Sequence, residues 1–243
     1  MVFIVNISSA IFDRSAPDLD SCPDESLPEF AFIGRSNVGK SSLLNMLAGK
    51  SGLARVSTTP GFTKLINFFT MNKSWRLVDL PGYGFAQVAR KDSAKFNQAV
   101  SGYLEGRENL CCVFALIDSG LPPQAIDLEF VEWLASHAVP FVLVFTKADA
   151  VTSARLQANS KAFTDHLSAL YENLPETFTC SATTGQGRSE LLGMIEGALA
   201  EAGAGSGKPQ TGDAHLPGDA PATVRKPDSP AVGKRRPDRS RPW

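Results

Sequence analysis

The sequence predicts an α/β fold in which a mostly parallel central sheet carries helices on both faces. Strand and helix patterns alternate between about residues 28 and 202, which is the chain order of parallel strands joined by crossover helices. Two runs, Leu110–Ile117 and Phe141–Phe145, are continuously apolar, as expected for strands buried on both faces. A sizeable core is available, because 43% of the 243 residues are hydrophobic and 20% are charged.

Short apolar runs bounded by turn residues predict the strands. They are Glu29–Ile33, Leu65–Thr70, Trp75–Leu80, Leu110–Ile117, Phe141–Phe145 and a short strand that ends before Cys180. The second and third form a pair joined at Met71–Ser74. Because ligands of parallel sheets bind beyond the carboxyl ends of the strands, we expect the loops at those ends to carry the function.

Apolar side chains at helical spacing predict the helices. They are Lys40–Ala48, Pro122–Ala138, Arg155–Tyr171 and Gln186–Ala202. Leu43, Leu44 and Leu47 line one face of the first helix. The stripe expected in the second helix consists of Ile126, Phe130, Val131 and Leu134.

The composition changes near residue 204 and marks a boundary. Residues 204–243 hold seven of the 16 prolines and eight Lys or Arg against four Asp, which leaves 16 basic and 21 acidic residues in the remainder. Few large apolar residues occur in this stretch, so it cannot bury enough surface to offset the entropy of ordering it. We therefore predict an acidic globular domain over residues 1–203, with its core at about 28–202, and a disordered basic tail over 204–243.

No run approaches the ~18–20 apolar residues that a membrane span needs. The start of the chain lacks the basic flank and small-residue cleavage site of a signal peptide. The cysteines, Cys22, Cys111, Cys112 and Cys180, show no metal-binding spacing and predict buried free thiols in a reducing compartment. We expect a cytoplasmic protein without a membrane span.

The loop Gly34–Ser41 matches G-x-x-x-x-G-K-[ST] between a predicted strand and a predicted helix, and so predicts a P-loop NTPase. Gly34 and Gly39 permit a tight loop whose amides converge on phosphate oxygens, and the helix adds its positive end. Lys40 is expected to reach the β- and γ-phosphates, and the Ser41 hydroxyl to bind Mg²⁺. The residues predicted to contact nucleotide in this loop are Gly34, Arg35, Ser36, Asn37, Val38, Gly39, Lys40, Ser41 and Ser42.

Two later segments contain the remaining residues that are predicted to bind Mg²⁺ and the γ-phosphate. Asp79-Leu80-Pro81-Gly82 follows a strand as a D-x-x-G element, in which Asp79 would hold Mg²⁺ through water and the Gly82 amide would contact the γ-phosphate. Between this element and the phosphate loop, one threonine must complete the Mg²⁺ shell. Thr63 is our choice, with Thr58 and Thr59 as alternatives, and its neighbours Gly61, Phe62, Lys64 and Leu65 join the predicted site. Lys40, Thr63 and Gly82 are the expected catalytic residues.

Thr146-Lys147-Ala148-Asp149 closes a strand and predicts guanine as the base. The Asp149 carboxylate can accept two hydrogen bonds from guanine N1 and N2, whereas adenine would leave it unpaired. The Lys147 stem can lie over the base. Cys180-Ser181-Ala182 fits the last guanine-side loop, where the Ala182 amide would meet O6.

The segments GRSNVGKSSL, TPGFTK, DLPGYGFA, IDSGLPPQAIDLEFVEWL and TKAD together closely resemble the EngB (YihA/YsxC) family of bacterial GTP-binding proteins, over roughly Phe12 to Ala202. The resemblance implies the small G-protein fold and a GTPase of the translation-factor class. It also implies that Thr146 replaces the more familiar asparagine of this element. Roles in assembly of the large ribosomal subunit and in normal septation are implied by the resemblance alone. The long basic tail departs from the family pattern.

Tyr83 occupies the position where many GTPases carry a glutamine that orients water. We therefore expect slow hydrolysis that a partner or a cation accelerates. Asn37 either coordinates K⁺ between phosphates or makes a local hydrogen bond that stabilises the loop. Arg35, Arg55 and Arg90 are read as loop cations that contact rRNA, stabilise charge or are simply solvated.

The leading hypothesis is a monomeric GTP-hydrolysing switch that binds a precursor of the large ribosomal subunit or its rRNA. The acidic domain cannot coat RNA with charge, so RNA contact would come from local patches and the tail, unless the tail only aids solubility. The alternative is a nucleotide-gated interaction protein of the division machinery in which hydrolysis is incidental. A kinase or ATPase is disfavoured, because Asp149 opposes adenine and no lid or acceptor site is evident.

Overall fold

The computed structural model describes residues 6–24, 26–54, 65–83 and 90–205, with side chains from residue 98 to residue 203 in the last range. Its strands are β1 (Ala10–Ala16), β2 (Glu29–Gly34), β3 (Ile66–Met71), β4 (Trp75–Asp79), β5 (Leu110–Asp118), β6 (Phe141–Thr146) and β7 (Thr177–Thr179). Its helices are α1 (Lys40–Ala48), α2 (Arg90–Gly106), α3 (Ala125–Ser136), α4 (Ser153–Ser168) and α5 (Arg188–Gly205), with a 3₁₀ turn at Ala148–Ala150.

The described strands form one sheet in the order β1-β3-β4-β2-β5-β6-β7. Strands β4, β2, β5, β6 and β7 run parallel, whereas β1 pairs antiparallel with β3 and β3 pairs antiparallel with β4. The predicted α/β fold with a mostly parallel sheet is confirmed. Its central strand β2 lies between β4 and β5, which brings the loops after these three strands together at one edge of the sheet.

Two apolar layers cover the sheet, one on each face. Alternate residues of β2 enter different layers, because side chains of a strand point to opposite faces. Phe30 and Phe32 join the layer closed by α1 and α5. Ala31 and Ile33 join the layer closed by α2, α3 and α4. Helices therefore lie on both faces, as the alternation of patterns predicted.

The predicted elements are present with ends shifted by up to three residues, but two elements were missed. Strand β1 is an edge strand whose middle residues are exposed, so it lacks an apolar pattern. Helix α2 carries Val100, Tyr103 and Leu104 at helical spacing, a signal that was present in the sequence. Arg90, read as a loop residue, is the first residue of this helix.

Two other predictions can be compared with the structure. In α3 Phe130, Val131 and Leu134 are buried and Ile126 is half-buried against the same core, so the predicted stripe is present, and Asp127 joins it. Helix α5 extends to Gly205 and takes two residues from the predicted tail. The rest of the tail, residues 206–243, lies outside the described residues, as does the segment 55–64 with Arg55, Thr58, Thr59, Gly61, Phe62, Thr63 and Lys64.

A buried polar cluster closes the amino end of β2. The Glu29 carboxylate is fully buried and accepts hydrogen bonds from the Tyr103 hydroxyl at 2.8 Å and from Arg107 Nε and Nη2 at 2.9 and 2.7 Å. Burial and the adjacent carboxylate hold the pKa of Tyr103 well above its usual range. Removing one member would leave a buried charge or donor unpaired, which is costly. The cluster therefore joins α2 to the start of β2, opposite the edge that carries the predicted site.

The four cysteines are free thiols, of which Cys112 and Cys180 are buried and Cys22 and Cys111 half-buried. Burial raises the pKa of Cys112 and of Cys180 to about 12 and that of Cys22 to about 11. The free thiols are confirmed, although the burial of two is only partial. None of the described helices is long and apolar enough to cross a bilayer.

Candidate functional site

The loop between β2 and α1 has the backbone of an anion-binding turn. Asn37 and Gly39 adopt left-handed conformations, with φ of 64° and 101°. A Cβ on Gly34 would lie 2.7 Å from the Leu116 carbonyl oxygen, so only glycine fits there. None of the described side chains caps α1 at Gly39, so within the described part of the chain the amides of its first turn can receive an anion.

Lys40 and Asp79 form a largely buried ion pair at the mouth of this loop, with side chains 11% and 6% exposed. Lys40 begins α1 and Asp79 ends β4, so the parallel pairing of β2 with β4 brings them together. Ser36 belongs to the same loop, and its hydroxyl oxygen is buried without a hydrogen-bond partner among the described residues. Because buried polar atoms usually have such a partner, this hydroxyl is suited to bind a polar ligand.

The donor set fits Mg²⁺, which binds one or two carboxylates together with hydroxyls, water and phosphate oxygens. Asp79 supplies the carboxylate and Ser41, in the first turn of α1, supplies a hydroxyl. Among the described residues, no group of three or more His, Cys, Asp or Glu side chains forms a metal cage.

The D-x-x-G segment packs directly on the phosphate loop. The Leu80 amide donates to the Phe32 carbonyl at 3.0 Å, and the Tyr83 amide donates to the Gly34 carbonyl at 3.3 Å. A Cβ on Gly82 would lie 2.7 Å from the same Gly34 oxygen. The two glycines therefore permit a backbone approach that any side chain would prevent.

Tyr83 and Arg35 do not have the surroundings expected from the sequence. The Tyr83 hydroxyl donates to Asp127 Oδ1 at 3.0 Å, and Arg35 Nε lies 3.0 Å from both carboxylate oxygens of Asp127. Tyr83 and Asp127 are 2% and 1% exposed. The Arg35 guanidinium therefore forms an ion pair with a residue of α3, and its side chain is 24% exposed.

Burial is the main cause of the ionisation behaviour of this cluster. It raises the pKa of Tyr83 well above its usual range, and the adjacent Asp127 carboxylate adds to this. Burial also raises the pKa of Asp127, while the Arg35 guanidinium acts in the opposite direction. Asp127 was missed as a site residue, although a carboxylate on the apolar face of a predicted helix could have revealed it.

The two predicted base-binding loops are joined to each other and to the phosphate loop. The Ala148 amide donates to the Cys180 carbonyl at 3.1 Å. The buried Thr146 hydroxyl donates to the Val38 carbonyl at 2.7 Å, with the Ile117 carbonyl 3.2 Å away. The Thr146 hydroxyl therefore joins the base-binding loop to the backbone of the phosphate loop.

Asp149 is exposed, and hydrogen bonding, chiefly from the Ser181 hydroxyl, holds the pKa of its carboxyl below its ordinary value. Lys147 adopts a left-handed conformation, with φ of 58°, and its ammonium lies 2.7 Å from Asp118 Oδ2. Asp118, which the sequence analysis did not single out, also accepts the Gly120 amide at 2.9 Å. The base-binding loop Thr146–Asp149 therefore presents the exposed Asp149 carboxylate together with Lys147, which Asp118 orients.

The structure brings together the described members of the predicted site, at the carboxyl ends of β2, β4, β6 and β7. They are Gly34–Ser42, Asp79–Gly82, Thr146–Asp149 and Cys180–Ala182. Leu65 is described and is 40% exposed just before β3. The remaining switch residues, Gly61–Lys64, lie outside the described residues.

The chain is similar to known GTP-binding proteins. The family described as 50S ribosome-binding GTPase matches residues 29–147. A probable GTP-binding protein EngB from Bacteroides fragilis is 48% identical over 192 residues, which cover 79% of this chain and 96% of that protein. Another from Christiangramia forsetii is 46% identical over 193 residues, 79% of this chain and 98% of that protein. A crystal structure of a probable GTP-binding protein engB superposes with a TM-score of 0.57 at 23% identity, covering 71% of this chain and 99% of that one.

We predict that Thr146→Val lowers the free energy of unfolding by about 1–3 kcal/mol, because the Val38 carbonyl loses a buried donor. Urea unfolding measures the change. Thr146→Ser keeps the hydroxyl and should lose less. Thr177→Val, at the exposed start of β7, is the matched control and should stay within about 0.5 kcal/mol of the native chain. Equal losses for the valine and serine variants at position 146 would contradict this role of the hydroxyl.

Proposed function

Because the chain belongs to the EngB family of GTP-binding proteins, we propose that it binds GTP and GDP at this site and hydrolyses GTP slowly as a switch. The observation that carries the proposal is the joining of three loops. Thr146 holds the base-binding loop to the phosphate loop, and Ala148 holds it to Cys180. Base and phosphate recognition are thereby set at a fixed separation along one edge of the sheet.

The phosphate side of the site would bind the triphosphate through charge and amides. The uncapped amides at the start of α1 favour anionic oxygens, and the Lys40 ammonium, paired with Asp79, belongs to the first residue of the same helix. Lys40 would exchange its ion pair with Asp79 for the β- and γ-phosphates. The Gly82 amide, held against Gly34, would contact the γ-phosphate.

Ser41, Asp79 through water, and Thr63 would hold Mg²⁺. The ion would neutralise charge that develops on the β- and γ-phosphate oxygens during phosphoryl transfer. Asp79 is buried, so its carboxylate needs a cationic neighbour, and in the described part of the chain it pairs with Lys40. A divalent cation would satisfy the same need once Lys40 turns to the phosphates.

Guanine would be selected by Asp149. Its carboxylate is exposed to an incoming base, and hydrogen bonding, chiefly with Ser181, holds the pKa of the carboxyl below its ordinary value. Since a site built on such hydrogen bonds strongly disfavours a base that cannot donate them, adenine would bind poorly. The Lys147 stem, oriented by Asp118, would cover the base.

Slow hydrolysis is supported by the placement of Tyr83. Its hydroxyl is buried against Asp127 and donates to that carboxylate, so it is not available to orient an attacking water. Lys40, Gly82 and Thr63 would then supply electrostatic stabilisation without a side chain that activates water. A partner or a cation would supply the remaining acceleration.

The partner we propose is a precursor of the large ribosomal subunit, with a consequent requirement in cell division. The support is the match to a family described as 50S ribosome-binding GTPases. Charge is the second consideration, since residues 1–203 hold more acidic than basic residues and residues 204–243 hold eight Lys or Arg. The tail would therefore supply phosphate contacts.

We predict that Asp149→Asn lowers GDP affinity about 100-fold or more and reverses the preference between guanosine and xanthosine nucleotides. The reversal is expected because an asparagine amide can donate to the extra carbonyl of xanthine. Isothermal calorimetry with GDP, XDP and ADP measures it.

Asp165→Asn is the matched control for this substitution, because Asp165 is an exposed aspartate that pairs with Lys161 on the surface of α4. It should leave all three affinities unchanged. Retained guanosine preference in Asp149→Asn, or equal binding of ADP by the native chain, would contradict the assignment of the base loop.

The role of Asn37 is tested by cation dependence. If its side-chain oxygen binds K⁺ beside the phosphates, turnover should be several-fold faster in KCl than in NaCl at equal ionic strength, and Asn37→Ala should remove the difference. Phosphate release measures the rates. Equal rates for the native chain in the two salts would leave Asn37 with the local hydrogen-bonding role alone.

Ribosome binding is tested by cosedimentation with large-subunit particles over a range of salt. We expect the full chain, loaded with a non-hydrolysable GTP analogue, to bind more tightly than the GDP form. Residues 1–205 should show a smaller salt slope, by about 0.7–0.9 for each tail cation that contacts a phosphate. An unchanged slope would make the tail a solubilising extension. If no large subunit cosedimented with the chain in either nucleotide state, the alternative, a partner in the division machinery, would be favoured.

A further inference from the structure

Three segments that are distant in sequence meet in one buried cluster beside the phosphate loop. Arg35 belongs to that loop, Tyr83 follows the D-x-x-G element, and Asp127 lies in the first turn of α3. Arg35 Nε and the Tyr83 hydroxyl both donate to the Asp127 carboxylate at 3.0 Å. We call these three residues the Tyr83 cluster.

The Tyr83 side chain has little freedom to move within this cluster. It is 2% exposed, and its ring packs on Phe130 of α3 with centroids 4.6 Å apart. Asp127 is buried as well, so its carboxylate relies on Arg35 and on the Tyr83 hydroxyl for partners. Loss of either contact would therefore alter the position of the other residue.

The same residues hold the backbone next to Gly82. Arg35 and Tyr83 form an isolated parallel β-bridge, in which the Tyr83 amide donates to the Gly34 carbonyl at 3.3 Å. Gly82 immediately precedes this bridge and packs on Gly34 without room for a Cβ. The orientation of the Gly82 amide is thus fixed by the backbone bridge between Arg35 and Tyr83, and the side chains of both residues are held by Asp127.

We propose that Tyr83 is a positioning residue, which acts with Asp127 and Arg35 to hold the Gly82 amide where it distinguishes GTP from GDP. This rests on the proposed function, because it takes the Gly82 amide as the γ-phosphate contact. Tyr83, at the position of the usual glutamine, would then help the site to distinguish GTP from GDP, and it would not orient the attacking water. Removing the hydroxyl should weaken binding of the triphosphate selectively, since GDP has no γ-phosphate to meet that amide.

The chain contains a matched control for this cluster. At the amino end of β2, the Tyr103 hydroxyl donates to the buried Glu29 carboxylate at 2.8 Å, and Arg107 pairs with the same carboxylate at 2.7 Å. Tyr103 is also fully buried. Tyr103→Phe and Tyr83→Phe therefore remove the same kind of hydrogen bond, one at each end of the sheet.

The experiment compares the native chain, Tyr83→Phe and Tyr103→Phe by fluorescence titration with GDP and with a non-hydrolysable GTP analogue, alongside urea unfolding. Both variants should lose similar stability. In Tyr83→Phe the affinity for the GTP analogue relative to GDP should fall about three- to tenfold. In Tyr103→Phe the ratio should match that of the native chain.

Arg35→Lys is the second variant, because it keeps the charge and loses the Nε contact to both Asp127 oxygens. It should shift the ratio in the same direction as Tyr83→Phe. Unchanged ratios in both variants, or an equal shift in Tyr103→Phe, would overturn the inference while the proposed function stands. If the native chain bound neither nucleotide, the proposed function itself would fail.

Discussion

The contact of three backbone segments around Gly34 is the constraint on which the site depends. A Cβ added to Gly34 would lie 2.7 Å from the Leu116 carbonyl oxygen, and a Cβ added to Gly82 would lie 2.7 Å from the Gly34 carbonyl oxygen. The phosphate loop is therefore held between β5 and the D-x-x-G segment at backbone contact distance. Because this spacing is set by the sheet, the Lys40–Asp79 pair and the Tyr83 bridge follow from the order of the strands.

The fold was largely predictable because its strongest signals are local. Strands buried on both faces, such as Leu110–Asp118, appear in the sequence as unbroken apolar runs. Strand β1 gives no such signal, since it lies at the sheet edge with its middle residues exposed and depends on its partner β3 for its conformation. Helix α2 was different, because its apolar spacing was present but lay within a polar stretch.

The site was predictable to the extent that its residues are contiguous. The loops Gly34–Ser41 and Thr146–Asp149 combine spacing with position after a strand, and the structure brings them together. Asp127 has one local signal, a carboxylate on the apolar face of a helix, but its partner Arg35 is 92 positions away, so the sequence did not identify the ion pair. Asp127 lies on the same face of α3 as Phe130, Val131 and Leu134, so its burial follows from the packing of that face on the sheet.

The buried thiols have a practical consequence for labelling the protein with fluorophores. The thiolate is the species that reacts with alkylating dyes, and at neutral pH a thiol whose pKa is about 12 is ionised to roughly one part in 10⁵. Cys112 and Cys180 should therefore react very slowly with maleimide and iodoacetamide reagents. Burial also raises the pKa of the half-buried Cys22 and Cys111, so a cysteine introduced on an exposed turn should react faster than the four native thiols.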